Sequence, residues 1–161
     1  MMSTSRKARL AQQISTAIMR WQDATQSFDE LVGKQYSLGG AERRCLAFLL
    51  QGPATATAVA KETALTPAAV TALIDRLEER GYVKRTRTDE DRRKITIEAA
   101  GKTFDLAKQA YGPIAQAGAE LLDSFTTSEL ETIARFMEAA LSLQLRLTER
   151  LAPKDIEANK P

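Results

Sequence analysis

In the stretch Arg85-Thr-Arg-Thr-Asp-Glu-Asp-Arg-Arg-Lys94, basic residues flank three consecutive acids, and no apolar side chain asks to be buried. Pairing the two halves as a hairpin brings Arg85 and Arg87 beside Arg92, Arg93 and Lys94. Guanidinium forks suit phosphates, and a narrow minor groove attracts an inserted arginine through its concentrated negative potential. Asp91 stands where a charged hydrogen bond to Arg93 or a neighbouring arginine stiffens the tip, while Asp89 and Glu90 face water. A solvated face with no further role fits the same run. Lys84 to Lys94 holds six basic and three acidic residues, a local +3 in a chain of net +2, so the positive excess is local.

Just upstream, a helix is read with Thr66 as N-cap and Pro67 at the first helical position, ending at Gly81 after Arg80. Val70, Leu73, Ile74 and Leu77 must pack inward, which turns Ala68, Ala69, Thr71, Ala72, Asp75 and Arg76 outward. Small outward side chains let a helix settle deep in a major groove, where a Thr hydroxyl reaches base edges and Ala methyls touch thymine methyls. The amides of Ala68 and Ala69 at its N-terminus suit a phosphate. The plain alternative is an Ala-rich helix begun by Thr-Pro, since the same geometry also serves protein contacts.

Other chemistries find little support. The chain has no histidine and one cysteine, Cys45, so neither a Cys/His zinc site nor a Cys/His nucleophile pair is available; no catalytic residue, metal or cofactor is expected. Phosphate loops of the GxxxxGK or GxGxxG type are missing, and acids such as Glu78-Glu79 sit on a solvent-facing flank. Cys45 lies in the apolar run Cys45 to Leu50, which favours a buried, inert thiol. Arg43 and Arg44 beside it would lower its pKa, which leaves open a thiol-based redox sensor.

These residues need a scaffold. From Ser5 to Val32, Leu10, Ile14, Ala17, Ile18, Trp21, Ala24, Phe28 and Leu31 recur at helical spacing, with Gly33 as the stop. That stripe is longer than a small domain covers, so part of it faces another subunit. A helix over Gly40 to Leu50 ends at Gly52-Pro53. Thr55 caps a short helix through Glu62 with Ala56, Val59 and Ala60 inward, and Ala64-Leu65 make the turn into the next. Tyr82 to Arg87 and Lys94 to Glu98 are β-prone. After Gly101 helical spacing returns, bent at Pro113, and Thr126-Thr-Ser-Glu129 fits a capping box for a last helix carrying Leu130, Ile133, Phe136 or Met137, Leu141 and Leu145. The order is that of a winged helix-turn-helix: mainly α with a small β wing.

A chain of 161 residues with 43% hydrophobic and 27% charged side chains is long enough for one domain with a real core, or for a small domain plus dimerisation elements. No export signal is read at its start, and the longest apolar run is far short of a membrane span, so a cytoplasmic protein without membrane contact is expected.

The segment "TATAVAKETALTPAAVTALIDRLEERGYVKRTRTDEDRRKITI" resembles the DNA-binding segment of the MarR family of bacterial transcriptional regulators, in "LIDRLEERGYVKR" and in Asp91-Arg-Arg93 above all, and more loosely from Ser5 to Leu151. The resemblance implies a homodimer with an N-terminal dimerisation helix over 5–34, a winged DNA-binding domain over 35–98, dimerisation helices over 99–151 and a frayed tail over 152–161. It implies a regulator, a repressor by expectation, on a pseudo-palindromic double-stranded operator. DNA contacts fall to Thr55, Thr66, Pro67, Ala68, Ala69, Thr71, Ala72, Arg76, Arg85, Arg87, Arg92, Arg93 and Lys94, with Asp91 and Arg93 at the family's Asp-x-Arg positions. Release by a small aromatic or phenolic anion between the dimerisation helices and the winged domain is implied too, with Ile18, Trp21, Tyr36 and Arg43 as candidate ligand contacts. The oxidant sensors of the family carry their cysteine near the start of the first helix, where this chain has none. Where relatives have Leu-Thr after the second wing strand this chain has Ile97-Glu98, which would put a charge in the first turn of the next helix. A winged helix used for protein contacts remains the rival reading.

Overall fold

Ser5 accepts a hydrogen bond from the Ala8 amide (3.2 Å) and so caps α1, Arg6–Tyr36, in a computed structural model that describes residues 5–88 and 91–151, with 88 and 91–94 described through their backbone alone. The helix passes Gly33 and ends three residues later at Tyr36, followed by the C-cap Ser37 in a left-handed conformation (φ 53°). Gly33 is therefore not the expected stop. A Cβ there would lie 2.8 Å from the Leu38 carbonyl oxygen and would run into the Arg43 guanidinium, so its role is close approach inside the helix.

Helix α2 (Gly40–Leu49) starts where the Gly39 amide donates to Glu42 Oε2 at 2.8 Å. Thr55 and Thr66 cap α3 (Ala56–Thr63) and α4 (Pro67–Glu79) by accepting from the amides of Ala58 (3.2 Å) and Ala69 (3.3 Å). Val59 is buried in α3, whereas Ala56, expected inward, is exposed at its first turn. All four expected inward residues of α4 are buried, and with Leu38, Cys45, Leu46, Leu49, Tyr82, Val83, Ile97 and Leu106 they make the core. After Gly81, at φ 76°, the chain enters β1 (Val83–Thr88), antiparallel to β2 (Asp91–Ala99). Both strands run further toward the tip than the sequence suggests, with a register irregularity between Arg87 and Thr88. Asp89 and Glu90 lie outside the described residues, as does the expected tail over 152–161. Ala54 adds a bridge on the far side of β2 by exchanging backbone hydrogen bonds with Ile97 (3.0 and 2.8 Å), which ties the wing to the α2–α3 turn.

Helix α5 (Gly101–Leu122) runs through Pro113 without interruption. Its buried Thr103 donates to the Tyr82 carbonyl at 2.5 Å, joining α5 to the root of β1. The chain divides into two compact units, Met1–Tyr111 and Gly112–Pro161. In the second, Thr126 and Glu129 exchange the expected capping-box bonds (2.8 Å from the Thr126 amide, 3.4 Å from the Glu129 amide) at the head of α6, Thr127–Leu151. Among the described residues, no helix is long and apolar enough to cross a membrane.

Candidate nucleic-acid interface

The outward face of α4 is small along its first two turns: Thr66, Pro67, Ala68, Thr71 and Ala72 are exposed and Ala69 is half-buried. Thr71 turns its hydroxyl back to the Pro67 carbonyl (3.1 Å), and the Ala69 amide is taken by Thr66 Oγ1, so of the two amides expected to suit a phosphate only that of Ala68 remains. Thr55, half-buried, caps α3. Arg76 keeps 57% of its side chain exposed while its Nε lies 3.6 Å from Glu42 Oε1.

Strand register sorts the hairpin into two faces. Arg85 pairs with Ile97 and Arg87 with Ile95, so both arginines share the face that carries Val83 and Ile97 toward the core and α4. The opposite face holds a polar cross-strand set: Lys84 Nζ lies 3.1 Å from Glu98 Oε2, Thr86 donates to Glu98 Oε1 (2.7 Å), and Thr86 and Thr96 hydroxyls are 3.1 Å apart. The Thr86 hydroxyl first, then Lys84, hold the Glu98 carboxyl below the usual carboxylate range. Glu98 is thus a strand residue clamped across the hairpin, and the first-turn role expected for it in the following helix is corrected: the first turn of α5 contains no acid.

Arg85 has acidic partners of its own on α4. Its Nη2 lies 2.5 Å from Asp75 Oδ1, its Nη1 contacts Glu78 Oε2, and its amide donates to Glu78 Oε1 at 3.0 Å. The hydrogen bond to Asp75, foremost, pushes the guanidinium pKa up. Two carboxylates thus already match the charge of this guanidinium. Arg87 is exposed on the same face, and Arg92, Arg93 and Lys94 follow Asp91 along β2 as backbone positions.

Arg80 and Glu42 were not singled out in the sequence. Arg80, the C-cap of α4, donates to the carbonyls of Tyr36 (2.8 Å) and Ser37 (2.9 Å) at the end of α1 and lies 5.1 Å from the centroid of the Tyr82 ring. Glu42 stands near both Arg76 and Arg80, at 3.6 and 3.9 Å.

The expected ligand contacts do not converge. Arg43 donates to the Leu38 carbonyl (3.0 Å), Trp21 is 58% exposed rather than core, Tyr36 reaches Gln109 (3.4 Å), and Ile18 is half-buried on α1. Trp21 and Arg43 border one shallow depression. Arg43 also borders a more enclosed cleft of about 260 Å³ between α1, α2 and α5, walled by Val32, Leu38, Leu46, Leu50, Leu106 and Tyr111. Tyr111, missed in the sequence, donates to Asp29 (2.9 Å) and meets Phe28 edge-on at 5.6 Å; burial and the Asp29 carboxylate push its phenol up to about 12. Cys45 is fully buried, and desolvation followed by the charge of Glu42 pushes its thiol up to about 11, the reverse of the lowering expected from Arg43 and Arg44. Burial and the raised pKa both disfavour the thiolate on which a redox role depends.

Comparison with known proteins bears on this arrangement. Residues 36–94 match the model of the MarR family. The uncharacterized HTH-type transcriptional regulator YcgE of Bacillus subtilis is 36% identical over 100 residues, covering 62% of this chain; the match spans 65% of that relative's length. Among solved structures, the transcriptional regulator Tm0710 from Thermotoga maritima superposes with a TM-score of 0.60 at 16% identity, over 86% of this chain and 98% of the other. A MepR mutant from S. aureus bound to an oligodeoxyribonucleotide does so with a TM-score of 0.53 at 19% identity, over 81% and 96%. At such identities the two structures speak for the fold alone. The likeness to the MarR family lies in the segment from Tyr36 to Lys94, the winged helix that α2, α3, α4 and the hairpin build.

Proposed function

We propose that the protein is a sequence-specific, double-stranded-DNA-binding transcriptional regulator that acts as a homodimer and represses until a small anion releases it. The observation that carries this reading is the small, exposed face of α4 standing beside a hairpin whose surplus basic residues are concentrated in one strand pair. Thr66, Pro67, Ala68, Ala69, Thr71, Ala72 and Arg76 enter the major groove, Thr55 meets the backbone, and Arg87, Arg92, Arg93 and Lys94 reach the minor groove with Asp91 as brace. Arg85 is left out of the contact set because its charge is already matched. The oligonucleotide-bound MepR structure, of like fold, supports DNA as the partner.

The unburied apolar side chains of α1 and α6, such as Leu10, Ile14, Leu141 and Leu145, support a second copy as their cover. In that dimer the two α4 helices lie roughly 34–36 Å apart, one turn of DNA. The cleft beside Arg43 and Tyr111 has an apolar wall, a cation and a phenol, and its size suits a one-ring carboxylate or phenolate. A ligand that favours a different spacing of the α4 helices shifts the population away from the DNA-binding form.

Gel retardation on genomic fragments across a salt series tests the core of this. DNA binding gives a log-log slope of about −0.9 per phosphate contact. Absence of retardation at low salt rejects the function.

A further inference from the structure

We propose that Arg85 is a positioning residue, a clip that fixes the hairpin against α4 so that major-groove and minor-groove elements engage one duplex together; this rests on the DNA-binding reading above. Asp75 and Glu78 are three residues apart on one flank of α4, the flank that faces β1. Each takes one arm of the Arg85 fork, and Glu78 uses its second oxygen for the Arg85 amide at 3.0 Å. The clip therefore grips the strand's backbone as well as a side chain. It sits two residues into β1, where Val83 and Ile97 leave the core and the hairpin projects from the domain. Beyond that point the hairpin has no other hydrogen bond to α4 among the described residues, so the angle between helix and wing is set there.

Charge makes the idea testable in sign. Two carboxylates on a helix that docks among phosphates oppose binding, so electrostatics alone expects their removal to tighten it. A clip expects the opposite, because the freed hairpin must be ordered on every binding event. Exposed ion pairs contribute little to stability, so the effect belongs to DNA affinity rather than to melting.

The full-length wild-type protein first selects a duplex from a random-sequence pool, and dissociation constants on that duplex and on an unselected one are then measured across a salt series for Asp75→Asn/Glu78→Gln, Arg85→Ala and Arg85→Lys. The double variant is expected to bind the selected duplex about five-fold more weakly or worse, the ratio matching the upper end of one exposed ion pair, while holding the unselected duplex more tightly. Arg85→Ala is expected to weaken selected binding with an unchanged salt slope. Arg85→Lys, which keeps the charge but cannot fork to both carboxylates, is expected to weaken it too, and serves if the double variant does not fold. Tighter selected binding by the double variant, unchanged affinity in Arg85→Lys, or a fall of about one in the Arg85→Ala slope, the mark of a direct phosphate contact, overturns the clip. A wild-type protein that retains no duplex at low salt instead rejects the DNA-binding reading, and the clip with it.

Discussion

Cys45 sits at zero exposure beside Glu42, and both facts favour the neutral thiol. With the folded pKa raised from 9.0 to about 11, the thiol's contribution to stability is fully present below pH 9 and is lost as pH rises toward 11. At pH 7.5 the native protein should take up no iodoacetamide by intact mass, and peroxide should leave its DNA complex unchanged; rapid labelling without denaturant would restore the redox reading. Gly33 poses a contest of two effects. Alanine gains about 1 kcal/mol in helix propensity, but the added methyl meets the Leu38 carbonyl, and overpacking of this kind costs roughly 1–3 kcal/mol. Gly33→Ala is expected to lower the urea midpoint, and a raised midpoint would mean that the Leu38 turn yields easily. For the wing, Arg92→Ala and Arg93→Ala should each weaken operator binding and reduce the salt slope by about one, leaving the oligomer as in wild type; unchanged affinity removes the wing from recognition. Arg85 has its partners inside the protein, Asp75 and Glu78. In the sequence all these arginines look alike, because the partner of a guanidinium is decided only when a strand is laid beside a helix.

Elements with local signals were legible. Thr55, Thr66 and Thr126 carry their capping role in residue type and spacing, and the α4 stripe Val70, Leu73, Ile74 and Leu77 is buried as its period requires. Gly33 misled because glycine both ends helices and permits close packing, and Arg43, which needs the space, lies ten residues away in another helix. Glu98 misled for a related reason: one residue of extra strand takes it from a helix's first turn into a cross-strand clamp. That clamp has a pH signature. Because the folded carboxyl titrates below its usual 4.5, the support it lends is present above that pH and is lost as pH falls through the folded value. Acidification from pH 5 to 3 should loosen the hairpin, seen as lower amide protection factors at Thr86 and Thr96 once the intrinsic pH dependence of exchange is divided out, and Glu98→Gln should flatten that dependence. A hairpin equally acid-sensitive in the variant would assign the effect to other carboxylates.

At the scale of the molecule, large apolar side chains remain uncovered along α1 and α6: Trp21 is 58% exposed, Leu31 62% and Leu141 60%, and α6 buries no residue at all. Surfaces of this kind mark sites of contact with a partner, and a second copy is the one proposed. Sedimentation equilibrium should return twice the chain mass of 17.7 kDa, and Leu141→Asp with Leu145→Asp should shift it toward the monomer. A wild-type monomer would leave these faces for another partner. The length of the α1 stripe is what raises the expectation of a dimer, whereas the Arg80 tie has no sign in the sequence, since its acceptors are backbone carbonyls that no residue type announces. That tie joins the last turn of α1 to the last turn of α4. The two helices, of 31 and 13 residues, are about 46 and 20 Å long. With the tie as fulcrum, a tilt of about 5° moves the free end of α1 by roughly 4 Å and the Thr66 end of α4 by less than about 2 Å, as their lengths dictate. The two levers are geared down: on the DNA-binding reading proposed above, a coarse displacement at the free end of α1 arrives at α4 as a fine adjustment.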